Sequence, residues 1–260
     1  MRQRIGGTMW LEQVINLFKN KPKCPIRNPD RVVLDNGFFH LIEEFGEGFV
    51  LNSKIYSDPI EITGRVFRGD ELYTQLLFQK LGDILEVDLR QVELGLFNET
   101  GDVFLDSGVM MVSENGGEFA SSKFTEYSDG SAEILINSRY IKDFCCLVVS
   151  IAFELIRLKL RREGKEYADD DVILELVLLF FGLGVFNANS SVAKMKTWSG
   201  DLSSGWNIEK GPSQLSPEAH GYILALFASY RGENNPAWAN SLEKEVKKVF
   251  YEGLRYLKIR

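Results

Sequence analysis

After Asn137 the hydrophobic pattern of this chain changes period once and does not change back. Before that point short alternating stretches stand out as strands, most clearly residues 91–97 (QVELGLF) and 132–137 (AEILIN). Beyond it apolar residues recur every three to four positions through about 138–162, 169–187, 216–232 and 236–257, the spacing of amphipathic helices. A chain that keeps its strands apart from its helices belongs to the α+β class, whereas a parallel βαβ fold would alternate them. The sheet is expected to be small and antiparallel or mixed. No glycine-rich phosphate loop follows any strand, so nucleotide binding has no support.

The first half of the chain is less regular. Residues 9–19 (MWLEQVINLFK) space Trp10, Val14, Ile15 and Phe18 as a short helix, and 19–30 reads as a connector rich in Lys, Pro and Asn. Phe38, Phe39, Leu41 and Ile42 predict a helix that stops at Gly46, while 61–67 alternates like a strand. Residues 71–84 predict a further helix. A turn at 98–102 follows the strand at 91–97. Shorter strands are expected at 108–112 and 123–127, divided by the loop SENGGEFASS, and Ser128-Asp129-Gly130 forms a turn before the strand at 132–137. A natural division is an N-terminal segment over 1–68 and an α+β domain over 69–260, unless the whole chain is one domain.

With 260 residues, 45% of them hydrophobic, the chain can bury a sizeable core without disulfides. Its three cysteines, Cys24 and the adjacent Cys145 and Cys146, form no framework and suit a reducing compartment. Cys145 and Cys146 lie in an apolar helical run, the setting of inert buried thiols. A formal charge of −7 opposes general nucleic-acid binding, which needs a basic surplus. The longest apolar runs, 144–153 and 173–186, are too short for a membrane span, and no export-type leader is visible, so a cytoplasmic location is expected.

The helix over 138–162 invites a chemical reading. A zincin places two histidines four residues apart on one helix, so that both imidazoles reach one zinc, with a glutamate after the first to activate the metal-bound water. The corresponding residues here are Phe153-Glu154-Leu155-Ile156-Arg157, with Glu175 on the following helix where a third ligand would stand. The glutamate is present, but neither phenylalanine nor a protonated guanidinium can bind a metal. The two histidines of the chain, His40 and His220, sit at neither ligand position.

Two further runs carry a resemblance: Phe181-Gly182-Leu183-Gly184-Val185-Phe186-Asn187-Ala188-Asn189 and Gly221-Tyr222-Ile223-Leu224-Ala225-Leu226. With the helix at 153–157 they resemble an uncharacterised bacterial group of zincin-like, gluzincin-type proteins. That group pairs an H-E-x-x-H helix with an acidic stretch leading to a T-D-L-like segment, an F-x-G-x-G-x-F-x-A-N-type run and a G-Y-x-x-A-L-A helix. The resemblance spans about 132–238 and reaches back toward the helix at Glu71 and the strand at Gln91. It implies a zincin-like fold in which Phe153, Arg157 and Glu175 occupy the former metal-site positions, Glu154 is a vestige of the catalytic base, and Leu174-Glu175-Leu176 replaces T-D-L.

What the departures imply is lost chemistry. No cofactor is expected, zinc included, and the expected function is that of an inactive pseudoenzyme that binds another protein, an inhibitory or immunity-type partner among the candidates. The alternative is a metallopeptidase-like hydrolase with a metal site rebuilt from Glu154, Glu175 and His220.

Arg157 admits two readings: a guanidinium in place of the metal, paired with Glu154 and Glu175, or the start of a solvated basic face with Lys159, Arg161 and Arg162. Asp169-Asp170-Asp171 reads as a helix cap or as a cation-binding cluster. His220 reads as a surface or helix-start histidine, against the role of a rebuilt ligand. Gly182 and Gly184 allow close packing or a kink. The stretch from Trp198 to Trp206 (WSGDLSSGW) reads as a loop whose tryptophans form a contact surface or fold back on the core.

Overall fold

The structure, a computed structural model, describes residues 22–98, 102–104, 110–112, 121–197 and 205–259. The helix expected at 9–19, the centre of the turn at 98–102, most of the SENGGEFASS loop and Trp198 fall outside these residues. The chain is α+β, with a small three-stranded mixed sheet and a helical second half.

The leading helices are α1 (Asn28–Phe45), α2 (Glu47–Asn52), α3 (Pro59–Thr63) and α4 (Glu71–Leu85). α1 stops at Gly46 as expected from the sequence, but it begins at Asn28, with Pro29 in its first turn, nearly three turns before Phe38. α3 replaces the strand expected at 61–67. Asp58 accepts from the backbone amide of Ile60, and the Glu61 carboxylate reaches back to the amides of Ser57 and Asp58. That reciprocal capping starts a helical turn where alternation alone suggests extended chain.

In the sheet, β1 (Val92–Phe97) pairs in parallel with β5 (Ala132–Asn137), and β4 (Ser122–Glu126) pairs antiparallel with β5 on its other side. Two short strands, β2 (Asp102–Phe104) and β3 (Met110–Val112), form a separate antiparallel pair.

The helical half holds α5 (Phe144–Arg162), α6 (Asp171–Phe180), α7 (Gly184–Ser190), α8 (Pro217–Tyr230) and α9 (Lys244–Leu257). Each long stretch expected as one helix, save α8, is divided. Asp143 caps the Cys146 amide at 2.9 Å, separating a 3₁₀ turn at Ser138–Lys142 from α5. Gly182, at φ 80°, separates α6 from α7; a Cβ there would lie 1.8 Å from the Lys54 carbonyl oxygen, so both the turn and the contact require glycine. A 3₁₀ turn at Ala237–Ser241 precedes α9. Between α7 and α8 the chain forms an unexpected hairpin of β6 (Val192–Thr197) and β7 (Gly205–Lys210), and Trp206 lies on β7.

α5 is the central element. It packs on α4, α6 and α7 and against β4 and β5, and Leu147, Val148, Ile151, Leu155 and Leu158 have no exposed surface. Burying each such side chain contributes about 1.5–3 kcal/mol. α1 joins the same core: Phe38 lies 5.3 Å from Phe180 and 6.5 Å from Phe227, ring centre to ring centre. Tyr222 of α8 donates to Asp35 of α1. α8 and α9 pack closely because Gly221 leaves room for Val249.

Candidate functional site

The C-terminal half of α5 and the start of α6 meet at a cluster of charged groups. Asp170 caps α6 by accepting from the amides of Val172 and Ile173, which frees its two neighbours to turn toward α5. Arg157 projects between the helices. Its guanidinium lies 2.6 Å from Glu154, 3.1 Å from Asp171 and 3.6 Å from Asp169. Glu154 also accepts from the Ser122 hydroxyl of β4, tying the helix to the edge of the sheet. One turn along, Arg161 pairs with Asp169 at 2.7 Å and lies over the Phe124 ring. Arg157 is therefore no part of a freely solvated face, and Arg162 likewise donates to the carbonyls of Asp88 and Gly130.

Glu175 lies in a second cluster, apart from Arg157. Its carboxylate accepts from the Ser213 hydroxyl (2.9 Å), the Asn187 amide (3.3 Å) and the backbone amides of Gln214 and Leu215, with His220 Nε2 at 3.2 Å. Burial pushes this carboxyl up, but the hydrogen bonds and charge of His220, with those of Ser213 and Gln214, outweigh it and hold Glu175 below the usual carboxylate range. His220 is at the start of α8 as expected, yet it is buried instead of lying at the surface, because it faces this carboxylate from within the core.

Ser213, His220 and Glu175 have the composition of a hydrolytic triad without its geometry. In a relay the acid holds one imidazole nitrogen and the serine the other. Here Ser213 and Glu175 both approach Nε2, and Ser213 is 1% exposed. The group acts as a clamp that fixes the chain entering α8 onto α6 and α7.

Phe153 is buried in the apolar core, and Glu154 and Arg157 are brought together as their spacing predicts. The pairing of Arg157 with Glu175 does not form; Asp169 and Asp171 take that place. Glu175 and His220 meet, while Glu154 belongs to the other cluster. Among the described residues, no group of three or more His, Cys, Asp and Glu side chains is arranged to hold a metal ion. Sequence reasoning missed Ser122, Asn187 and Ser213, which carry no local signal of their role. It named Asp169 and Asp171 without their partner. Cys145 and Cys146 are free thiols, and burial pushes Cys145 up to about 12 and Cys146 higher still, so neither is a ready nucleophile.

The fold and these clusters define an α+β protein whose central helix carries a part-buried glutamate–arginine pair. Comparison with protein-family models, curated proteins and solved structures finds no match to this chain.

Proposed function

We propose that the chain is a catalytically inactive zincin-like protein that acts by binding another protein, in the manner of an inhibitory or immunity-type partner. The observation that carries this reading is the position of Arg157. Its guanidinium sits where carboxylates from α5 and the start of α6 converge, and it offers them a permanent positive charge. A group with no lone pair, held by Glu154 and Asp171, occupies the place a cation would need. The acidic charge and the absence, among the described residues, of any helix long and apolar enough to cross a membrane suit a cytoplasmic protein whose partner is neither nucleic acid nor lipid. Trp198 and Trp206 supply a candidate contact surface for that partner.

The second reading, a hydrolase with a rebuilt metal site, draws on the contact between Glu175 and His220. Elemental analysis after zinc loading and removal of excess metal separates the two. The pseudoenzyme reading expects less than about a tenth of an equivalent, since a hydrolytic zinc needs three protein ligands. Stoichiometric zinc that is lost in both Glu175→Gln and His220→Gln would reject it in favour of the hydrolase.

A further inference from the structure

The far end of α6 carries a feature that the ion cluster at its start does not use. Phe180 and Phe181 form one side of a cleft of about 260 Å³, completed by Phe49 of α2, Ile84 of α4 and the segment over 52–56. Phe49 and Phe181 meet edge to face at 5.2 Å, giving the cleft an aromatic floor.

Its outer wall is held by the backbone. The Tyr56 amide donates to the Gly182 carbonyl at 2.9 Å, and the Lys54 carbonyl rests on the bare Cα of Gly182. Arg231, at the end of α8, donates to the carbonyls of Val50 and Ser53 at 2.7 and 3.0 Å. The wall is thus fixed without using the side chains of Lys54 and Tyr56. Lys54 Nζ lies 4.5 Å over the Tyr56 ring and makes no ion pair among the described residues, and the Tyr56 hydroxyl makes no hydrogen bond among them. No acidic side chain lines the cleft.

We propose that this cleft binds a small aryl or branched alkyl carboxylate. Its apolar group lies against Phe49 and Phe181, and its carboxylate takes the ammonium of Lys54 and the hydroxyl of Tyr56. An apolar cavity of about 150 Å³ holds benzene, so this volume accommodates one ring and a short chain. Two donors beside an apolar floor select an acid over its neutral analogue; Glu61, the acid whose charge reaches the Tyr56 phenol, lies outside the lining, so Lys54 carries most of the selection. The site is independent of the pseudoenzyme reading: the length of α6 separates it from Asp171 by roughly 14 Å.

The test is an amide-resolved NMR titration of the full chain with 4-phenylbutyrate and, separately, with 4-phenylbutanamide. The expected result is saturable shifts at 53–56 and 181–182, with the acid bound about tenfold more tightly than the amide. Lys54→Gln, at an exposed position, is expected to reduce the acid to the affinity of the amide while leaving the rest of the spectrum unchanged. Tyr56→Phe is expected to weaken the acid about threefold. Shifts that do not saturate, shifts centred elsewhere, or equal affinity for acid and amide would overturn the proposal.

Discussion

Glu154 and Glu175 sit on adjacent helices with side chains only 5% and 0% exposed, and the molecule satisfies them by opposite means. Glu154 relies on one guanidinium and one serine, and that guanidinium is shared with two carboxylates at the surface. Glu175 draws on hydroxyl, amide, imidazole and backbone donors, most of them from the segment that leads into α8. A carboxylate saturated by fixed donors in a dry site is anchored strongly, because each donor would be orphaned without it. An ion cluster open to water on one side is softer, since solvent competes for every member. The difference assigns the two acids different duties. Glu175 holds the fold, and Glu154 with Arg157 forms a softer cluster open to solvent on one side.

The sharpest way to break this comparison is to remove Glu175. Glu175→Ala strands its donors in the core and is expected to cost about 3–5 kcal/mol in urea unfolding, enough to prevent folding if the margin is small. Glu175→Gln keeps the shape and one acceptor, so a loss of about 2–3 kcal/mol is expected. A cost below that of Arg157→Ala would reverse the assignment of duties.

The same carboxylate sets a pH dependence. Its folded value lies below the unfolded one of about 4.3, so the unfolded chain binds more protons as the medium becomes acid. The stability it contributes is fully present above the unfolded value and is lost as pH falls through the folded one. Unfolding curves of wild type and Glu175→Gln should therefore converge on acidification from pH 7 to below about 4. A constant difference across that range would show that charge on Glu175 does not matter.

Arg157→Ala comes next. It leaves Glu154 buried beside only Ser122, and a loss of about 2 kcal/mol is expected, below the usual figure for a fully buried pair because Arg157 is 19% exposed. The paired change Glu154→Gln with Arg157→Met removes both charges and should lie within about 1 kcal/mol of wild type. If the double variant is no more stable than Arg157→Ala, the cost comes from losing the hydrogen bonds of the cluster and not from an uncompensated charge.

How much of this was legible in the sequence follows from the reach of each interaction. Glu154 and Arg157 share a helical face three residues apart, so their contact could be read from spacing alone. The strands at 91–97 and 132–137 were equally local, and the segregation of strands from helices conveyed the class. Asp171 meets Arg157 only because the turn between α5 and α6 folds back, and Ser213 and His220 reach Glu175 across the hairpin; no periodicity encodes such contacts. Other misses had readable causes. Asp58 and Glu61 formed a capping box inside a stretch whose alternation suggested a strand, and Asp143 was a cap inside a run that looked like one helix. In β6 (VAKMKT) the alternation is short and leads into a Gly/Ser-rich stretch read as a loop, so the sequence does not signal the hairpin.

The smallest expected effect discriminates most finely. Asp169 bridges Arg157 and Arg161 but is 65% exposed, so Asp169→Asn should cost no more than about 0.5 kcal/mol at low salt. At 1 M salt the screening length falls to about 3 Å, and that small cost should vanish. The cost of Glu175→Gln should persist under the same salt, because its donors are buried and most carry no formal charge. Urea unfolding of both variants at low and high salt measures the contrast directly. A salt-sensitive Glu175 or a salt-insensitive Asp169 would mean that the two acids are anchored alike, and the separation between a buried clamp and a solvent-facing ion cluster would fail.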